Sequence, residues 1–212
     1  MKLRHLIFIG LLSLCGIYAA AQNDKYQQSM REAITQFKGL KSAQDLAALS
    51  NKFERIGNAE KTQWLPYYYA AYSNAIMALK KPAESEAGVK QALKWLDKAE
   101  ELGGDKSETY CVRSYLFTAT MLMDPVNRWS TDGVKAMDYL DKAVKINPSN
   151  PRPYLLQGQT WAYTPKDFGG GKDVALPLLN KSQELFKTFK PASELHPNWG
   201  EDFLQEIIKT LE

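Results

Sequence analysis

Two histidines, His5 and His196, and two cysteines, Cys15 and Cys111, are spread over the 212 residues. Zinc clusters and nucleophile–base dyads are built from those residue types, and here they are too few and too far apart for either. His196 sits in Leu195-His196-Pro197-Asn198-Trp199-Gly200, a turn ahead of the last helix, and reads as a surface or packing residue. Cys111 lies among Tyr110, Val112 and Tyr115 in a helical pattern and reads as a small buried apolar side chain. Carboxylates are plentiful but scattered. Glu100-Glu101 and the Asp138/Asp141 pair fit as helix-surface partners of lysines three or four residues away. No pair is marked for general acid–base work. The sequence predicts no catalytic residue, no metal site, no cofactor and no enzymatic activity.

The most distinctive local feature is Phe168-Gly169-Gly170-Gly171-Lys172. Three glycines ahead of a helix can turn backbone N–H groups toward an anion, helped by Lys172 and the helix N-terminus. The phosphate-loop pattern, with its preceding strand and final Gly-Lys-Ser/Thr, is not met. The preferred reading is that the glycines let a long loop cross tightly over a helical hairpin, with Phe168 plugging the core.

Aromatic residues are the other candidates. Trp64, Tyr67, Tyr68, Tyr69 and Tyr72 crowd one region, and Trp161, Tyr163 and Phe168 another. On a helix, Trp64, Tyr68 and Tyr72 share a face while Tyr67 and Tyr69 point elsewhere. One set packs a core; the other is free to line a groove, where rigid aromatics anchor peptides or sugars.

The elements that must position these residues begin after a leader. Lys2, Arg4 and His5 precede an almost wholly apolar run from Leu6 to Tyr18, and Ala19-Ala20-Ala21 offers small residues before Gln22. That is the plan of a secretory signal peptide cleaved after Ala21; lipidation at Cys15 is the rival, weakened by the bulky Leu14 before it. The run is shorter than the roughly 20 residues a spanning helix needs. The remainder, 22–212, is expected to be one domain with no membrane span and a periplasmic setting. Across the chain 27 basic residues face 24 acidic ones, and Lys2 and Arg4 belong to the leader. No basic field remains to attract nucleic acid.

From Asp24 onward the apolar spacing is helical. Leu46, Leu49, Phe53 and Ile56 form one stripe, Leu93, Leu96, Ala99 and Leu102 a second, and Leu204, Ile207, Ile208 and Leu211 a third. Strand-like alternation is absent, so the fold class is all-α. Breakers at Gly39, Gly57-Asn58, Gly103-Gly104, Asn147-Pro148 and Gly169-Gly170-Gly171 divide helices expected near 24–38, 42–56, 60–79, 85–102, 106–122, 131–146, 151–163, 172–187 and 199–211.

An internal repeat is visible. Ala92, Leu96 and Ala99 recur 44 residues later as Ala136, Leu140 and Ala143. Ala70, Ser114 and Gly158 keep the same displacement and are all small, and Tyr110 and Phe117 reappear as Tyr154 and Trp161. Small residues let paired helices approach while bulky ones fill the grooves between them.

These residues resemble the tetratricopeptide repeat family. Tyr154, Gly158 and Trp161 match the first helix of its hairpin, and Ala136, Leu140, Ala143 and Pro148 the second helix and its exit. The resemblance covers about 60–187 and includes a Phe-Gly-Gly loop like those of related-looking bacterial envelope proteins. It departs from the family in its hairpin loops, lengthened over Met123–Ser130 and Thr164–Lys172. It implies an α-solenoid of about three hairpins, flanked by a helix pair over 22–58 and a capping helix over 199–211. The stacked first helices would then hold an extended peptide or a partner's helix. The function expected is a scaffold or adaptor of the cell envelope, its protein partner unidentified. Its surface is expected at Tyr67, Tyr68, Tyr72, Arg113, Tyr154 and Gln157, with Phe168 and Lys172 from the glycine loop. The alternative is a solenoid that binds a small molecule for envelope transport, roofed by the long loops.

Overall fold

The computed structural model describes residues 23–37, 39–40 and 42–211. The expected signal sequence, its cleavage site and Cys15 lie outside them.

The described residues fold as a succession of helices without strands. Helix α1 spans 23–37. It is followed by α2 (Ala43–Glu60), α3 (Leu65–Lys80), α4 (Glu86–Glu101) and α5 (Lys106–Met123). A short α6 (Pro125–Arg128) and a π-helical turn (Trp129–Gly133) lead into α7 (Val134–Ile146). Then come α8 (Pro151–Tyr163), a 3₁₀ turn (Lys166–Phe168), α9 (Lys172–Phe186) and α10 (Glu201–Leu211).

Local chemistry sets most of these boundaries. Ser42, Asp105 and Asn150 cap α2, α5 and α8, their side-chain oxygens accepting N–H bonds from Asp45, Ser107 and Arg152 at 3.0, 2.8 and 3.0 Å. Pro151 follows its cap at the first position of α8, where no N–H is needed. Helix α4 stops at Gly103-Gly104, whose N–H groups return to the carbonyls of Glu100 and Ala99.

One expected boundary is corrected. Gly57 is no breaker, because α2 runs through it to Glu60. A Cβ at Gly57 would stand 2.9 Å from Cζ of Tyr67, so this glycine admits the Tyr67 ring between α2 and α3. The stop comes instead at Lys61, in the left-handed region at φ 60°. The stretch between α5 and α7, expected as an open loop, is helical in α6 and the π-turn.

Each helix packs chiefly on its neighbours in the chain: α2 on α3, α3 on α4, α5 on α7, α8 on α9. Helix α3 is buried nearly all round, which places it at the centre and explains its lack of a polar stripe. It also packs along α5, whereas α5 and α8 meet over a shorter length. That divergence leaves space for the site.

Candidate functional site: an apolar cavity between α5 and α8

The 44-residue repeat carries a polar contact as well as apolar packing. Arg113 on α5 donates to Asp97 and Glu100 of the preceding α4, at 2.6 and 2.9 Å. Its counterpart Gln157 on α8 donates to Asp141 of α7 at 2.8 Å. Both side chains are over nine-tenths buried. The expectation that they present a binding surface is therefore corrected: they tie each hairpin to the one before it.

The tyrosines of α3 are corrected in the same way. Tyr67, Tyr68 and Tyr72 are 6%, 0% and 6% exposed. The face that carries Tyr68 and Tyr72, with those of α5 and α8, is covered by the chain's own segment between α9 and α10. Trp199 of that segment stacks on Tyr72 at 4.8 Å and donates from Nε1 to the Tyr68 hydroxyl at 2.9 Å. Tyr69 donates to the Leu195 carbonyl at 3.0 Å, and Arg152 to the Pro197 carbonyl at 2.8 Å. An external peptide finds no vacancy there. Tyr67 instead packs against α2 and donates to Asn58 at 3.1 Å. Tyr154 is half-buried, its hydroxyl directed to the Pro148 carbonyl at 3.3 Å.

The glycine loop is committed too. The N–H groups of Gly169, Gly170 and Gly171 bond to the carbonyls of Lys166, Pro165 and Trp161. None of the three glycine N–H groups is left for an anion, and Lys172 is exposed beside them. A Cβ at Gly170 would lie 2.1 Å from the Thr164 carbonyl oxygen, which accounts for glycine at this crossing. Phe168, expected to plug the core, is 75% exposed. It stands at the mouth of a cavity.

That cavity has a volume of about 750 Å³, within the range of small-molecule sites. Its walls are the outer turns of α5 and α8. From α5 come Ser114, Tyr115, Thr118 and Leu122, and from α8 Leu156, Gln159, Thr160 and Tyr163. Both sets fall at helical steps of three and four, one face of each helix. Met121 of α5 and Leu79 of α3 also face it, and the remaining walls are the two lengthened hairpin loops: Pro125, Val126 and Trp129 from one, Thr164, Pro165 and Phe168 from the other.

Exposure grades along the cavity. Leu156 and Ser114 at its inner end are 2% and 3% exposed, and Val126, Tyr163 and Phe168 at the mouth 91%, 71% and 75%. Large apolar side chains this exposed, gathered on one opening, mark a ligand or partner site. No charged residue lines the cavity, and burial pushes the Tyr115 hydroxyl well above its ordinary pKa, so it stays neutral. Among the described residues no group of three His, Cys, Asp or Glu is placed to hold a metal ion.

Sequence reading named Phe168 and the two loops but missed Trp129, Thr118 and Gln159. The available signals were the loop lengths and the Leu156/Gln159/Thr160/Tyr163 stripe. Its mixed polarity resembles neither a core face nor a solvated one.

No family model matches the sequence, and no curated protein matches it. Among solved structures, the HusA haemophore from Porphyromonas gingivalis superposes with a TM-score of 0.82 at 36% sequence identity. The match covers 88% of this chain and 92% of that one. The chain belongs to the HusA family. No helix of the described residues is long and apolar enough to cross a membrane.

Proposed function

We propose that this protein is an exported, non-enzymatic haem-binding protein that seats the macrocycle between α5 and α8. The observation that carries the reading is the aromatic-rimmed cavity of about 750 Å³, uncharged along its walls, in a relative of a haemophore. A planar, largely apolar ring suits such walls. Burying about 300–400 Å² of its surface is worth on the order of 8–10 kcal/mol before ordering costs, so contact with the ring faces supplies most of the binding. Among the lining groups, the Met121 sulfur and the Tyr115 and Tyr163 phenols are of the types that ligate haem iron.

This takes the small-molecule alternative over the envelope scaffold. Of the side chains assigned to partner capture, Tyr67, Tyr68, Tyr72, Arg113 and Gln157 are buried in intramolecular contacts, whereas the long loops, assigned to roofing a pocket, line one. The leader at 1–21 supports export.

Haemin titration of the protein, followed by its Soret band and by quenching of tryptophan fluorescence, tests the reading, since Trp129 lines the cavity. Thr118→Phe places a ring inside the space without touching the core, and should abolish binding with the helical circular dichroism unchanged. Saturable binding that survives Thr118→Phe would move the ligand elsewhere. No saturable binding to the wild type would sink the proposal.

A further inference from the structure

The inner end of the cavity is not all carbon. Ser114 and Tyr115 are 3% and 7% exposed, and neither hydroxyl has a hydrogen-bond partner among the described residues. The unpartnered side-chain atoms sealed from solvent are the Tyr26 hydroxyl and Arg152 Nε. The hydroxyls of Ser114 and Tyr115 are not among those sealed atoms, and both residues line the cavity. Two buried donors without partners are costly unless something from outside completes them.

Resting on the reading of the cavity as a tetrapyrrole site, we infer that Ser114 and Tyr115 form a specificity pair for neutral oxygen substituents on the buried edge of the ring. The group they meet is neutral because no cation lines the cavity, and an unpaired carboxylate driven to its inner end would be strongly disfavoured. The ring's carboxylates therefore stay at the mouth, where Arg128 and Lys166 adjoin the lining residues Trp129 and Pro165 in sequence, each at 4.0 Å from a carboxylate of the chain, Asp132 and Asp173, and 38% and 77% exposed. That orientation sends the opposite edge inward. There a hydroxyl or carbonyl substituent meets two waiting hydroxyls, whereas an alkyl substituent leaves both unsatisfied. Half-buried Thr118 and Gln159, also lacking side-chain partners among the described residues, extend the same polar strip up the wall.

Two metal-free porphyrins with the same carboxylates separate these cases: haematoporphyrin, with hydroxyethyl groups on the opposite edge, and mesoporphyrin, with ethyl groups. An all-carbon pocket prefers the ethyl ring, because a buried hydroxyl without a partner is penalised. The inference expects the reverse, with haematoporphyrin bound about tenfold tighter, the equivalent of one or two net hydrogen bonds. In the double variant Ser114→Ala/Tyr115→Phe the haematoporphyrin-to-mesoporphyrin affinity ratio should fall to one or below, with the helical circular dichroism unchanged as the report that the fold is intact. Wild-type affinities that are equal or favour mesoporphyrin overturn the specificity pair and leave the tetrapyrrole site standing. So does a preference that survives the double variant. Failure of both porphyrins to bind overturns the specificity pair and the tetrapyrrole site together.

Discussion

At the scale of single residues, the group on which most contacts converge is Arg152. Its side chain is fully buried at the start of α8 and bonds Glu108 of α5 at 2.9 Å. The guanidinium lies 5.0 Å from the Trp199 ring centroid and 4.6 Å from that of Phe189. Asn150 donates to the same Glu108 oxygen at 2.9 Å, so one carboxylate serves both the cap and the first turn of α8. Arg152 thus joins α5, α8 and the segment that covers them. Breaking a buried pair costs far more than its net contribution, because the surviving charge is stranded. Arg152→Met is expected to destabilise the protein by about 3–5 kcal/mol in urea unfolding. Adding Glu108→Gln should recover part of that loss, since the stranded carboxylate is then gone; equal stability of single and double variants would argue against the pair.

At the scale of elements, the two loops between paired helices decide whether there is a site at all. The Thr164–Gly171 crossing is held by the backbone hydrogen bonds of Phe168, Gly169, Gly170 and Gly171 and by the absence of a side chain at Gly170. Its conformation fixes Thr164, Pro165 and Phe168 on the cavity wall. Gly170→Ala cannot be absorbed by a rotamer change, because the atom it meets at 2.1 Å is a backbone oxygen. The crossing must open, with a stability loss of about 1–3 kcal/mol, as for other overpacked positions. Ligand affinity should fall with it while helix content is kept. Unchanged haemin affinity in Gly170→Ala would mean that this wall does not touch the ligand. The opposite wall has a π-turn at Trp129–Gly133, a form often found at binding sites.

At the scale of the whole molecule, ligand and fold are linked. A ligand that binds only the folded chain stabilises it by about 2.7 kcal/mol at a hundredfold excess over its dissociation constant. For a domain of this size that is a rise of about 5–10 °C in melting temperature. Haemin should produce such a shift in the wild type and none in Thr118→Phe, by differential scanning fluorimetry or by circular dichroism at fixed protein concentration. A shift of equal size in both proteins would point to binding away from the cavity.

The helices themselves were legible in the sequence because their determinants are local. The Ser42, Asp105 and Asn150 caps, the Gly103-Gly104 stop and the three- and four-residue stripes act within a turn or two of where they are read. The spacing predicts a helix over 151–163, the span that α8 occupies, and the small series Ala70, Ser114, Gly158 points to close helix pairing. Gly158 shows why: a Cβ there would lie 2.6 Å from a Leu179 methyl. The unusual hairpin lengths were countable too, and they mark the walls of the cavity. Spacing cannot show which face of a helix a distant segment will cover. Tyr68, Tyr72, Arg113 and Gln157 have the types and positions of groove residues. Only the folded chain brings Trp199 on to Tyr72 and Tyr68, 127 and 131 residues away in sequence, and the carboxylates of α4 and α7 on to Arg113 and Gln157. The cavity is likewise an effect of divergence between α5 and α8, and that angle is set by packing summed over the whole structure. Caps, stripes and loop lengths are properties of neighbours along the chain, so the sequence determined them; coverage and vacancy are properties of neighbours in space, and the tertiary structure alone decided those.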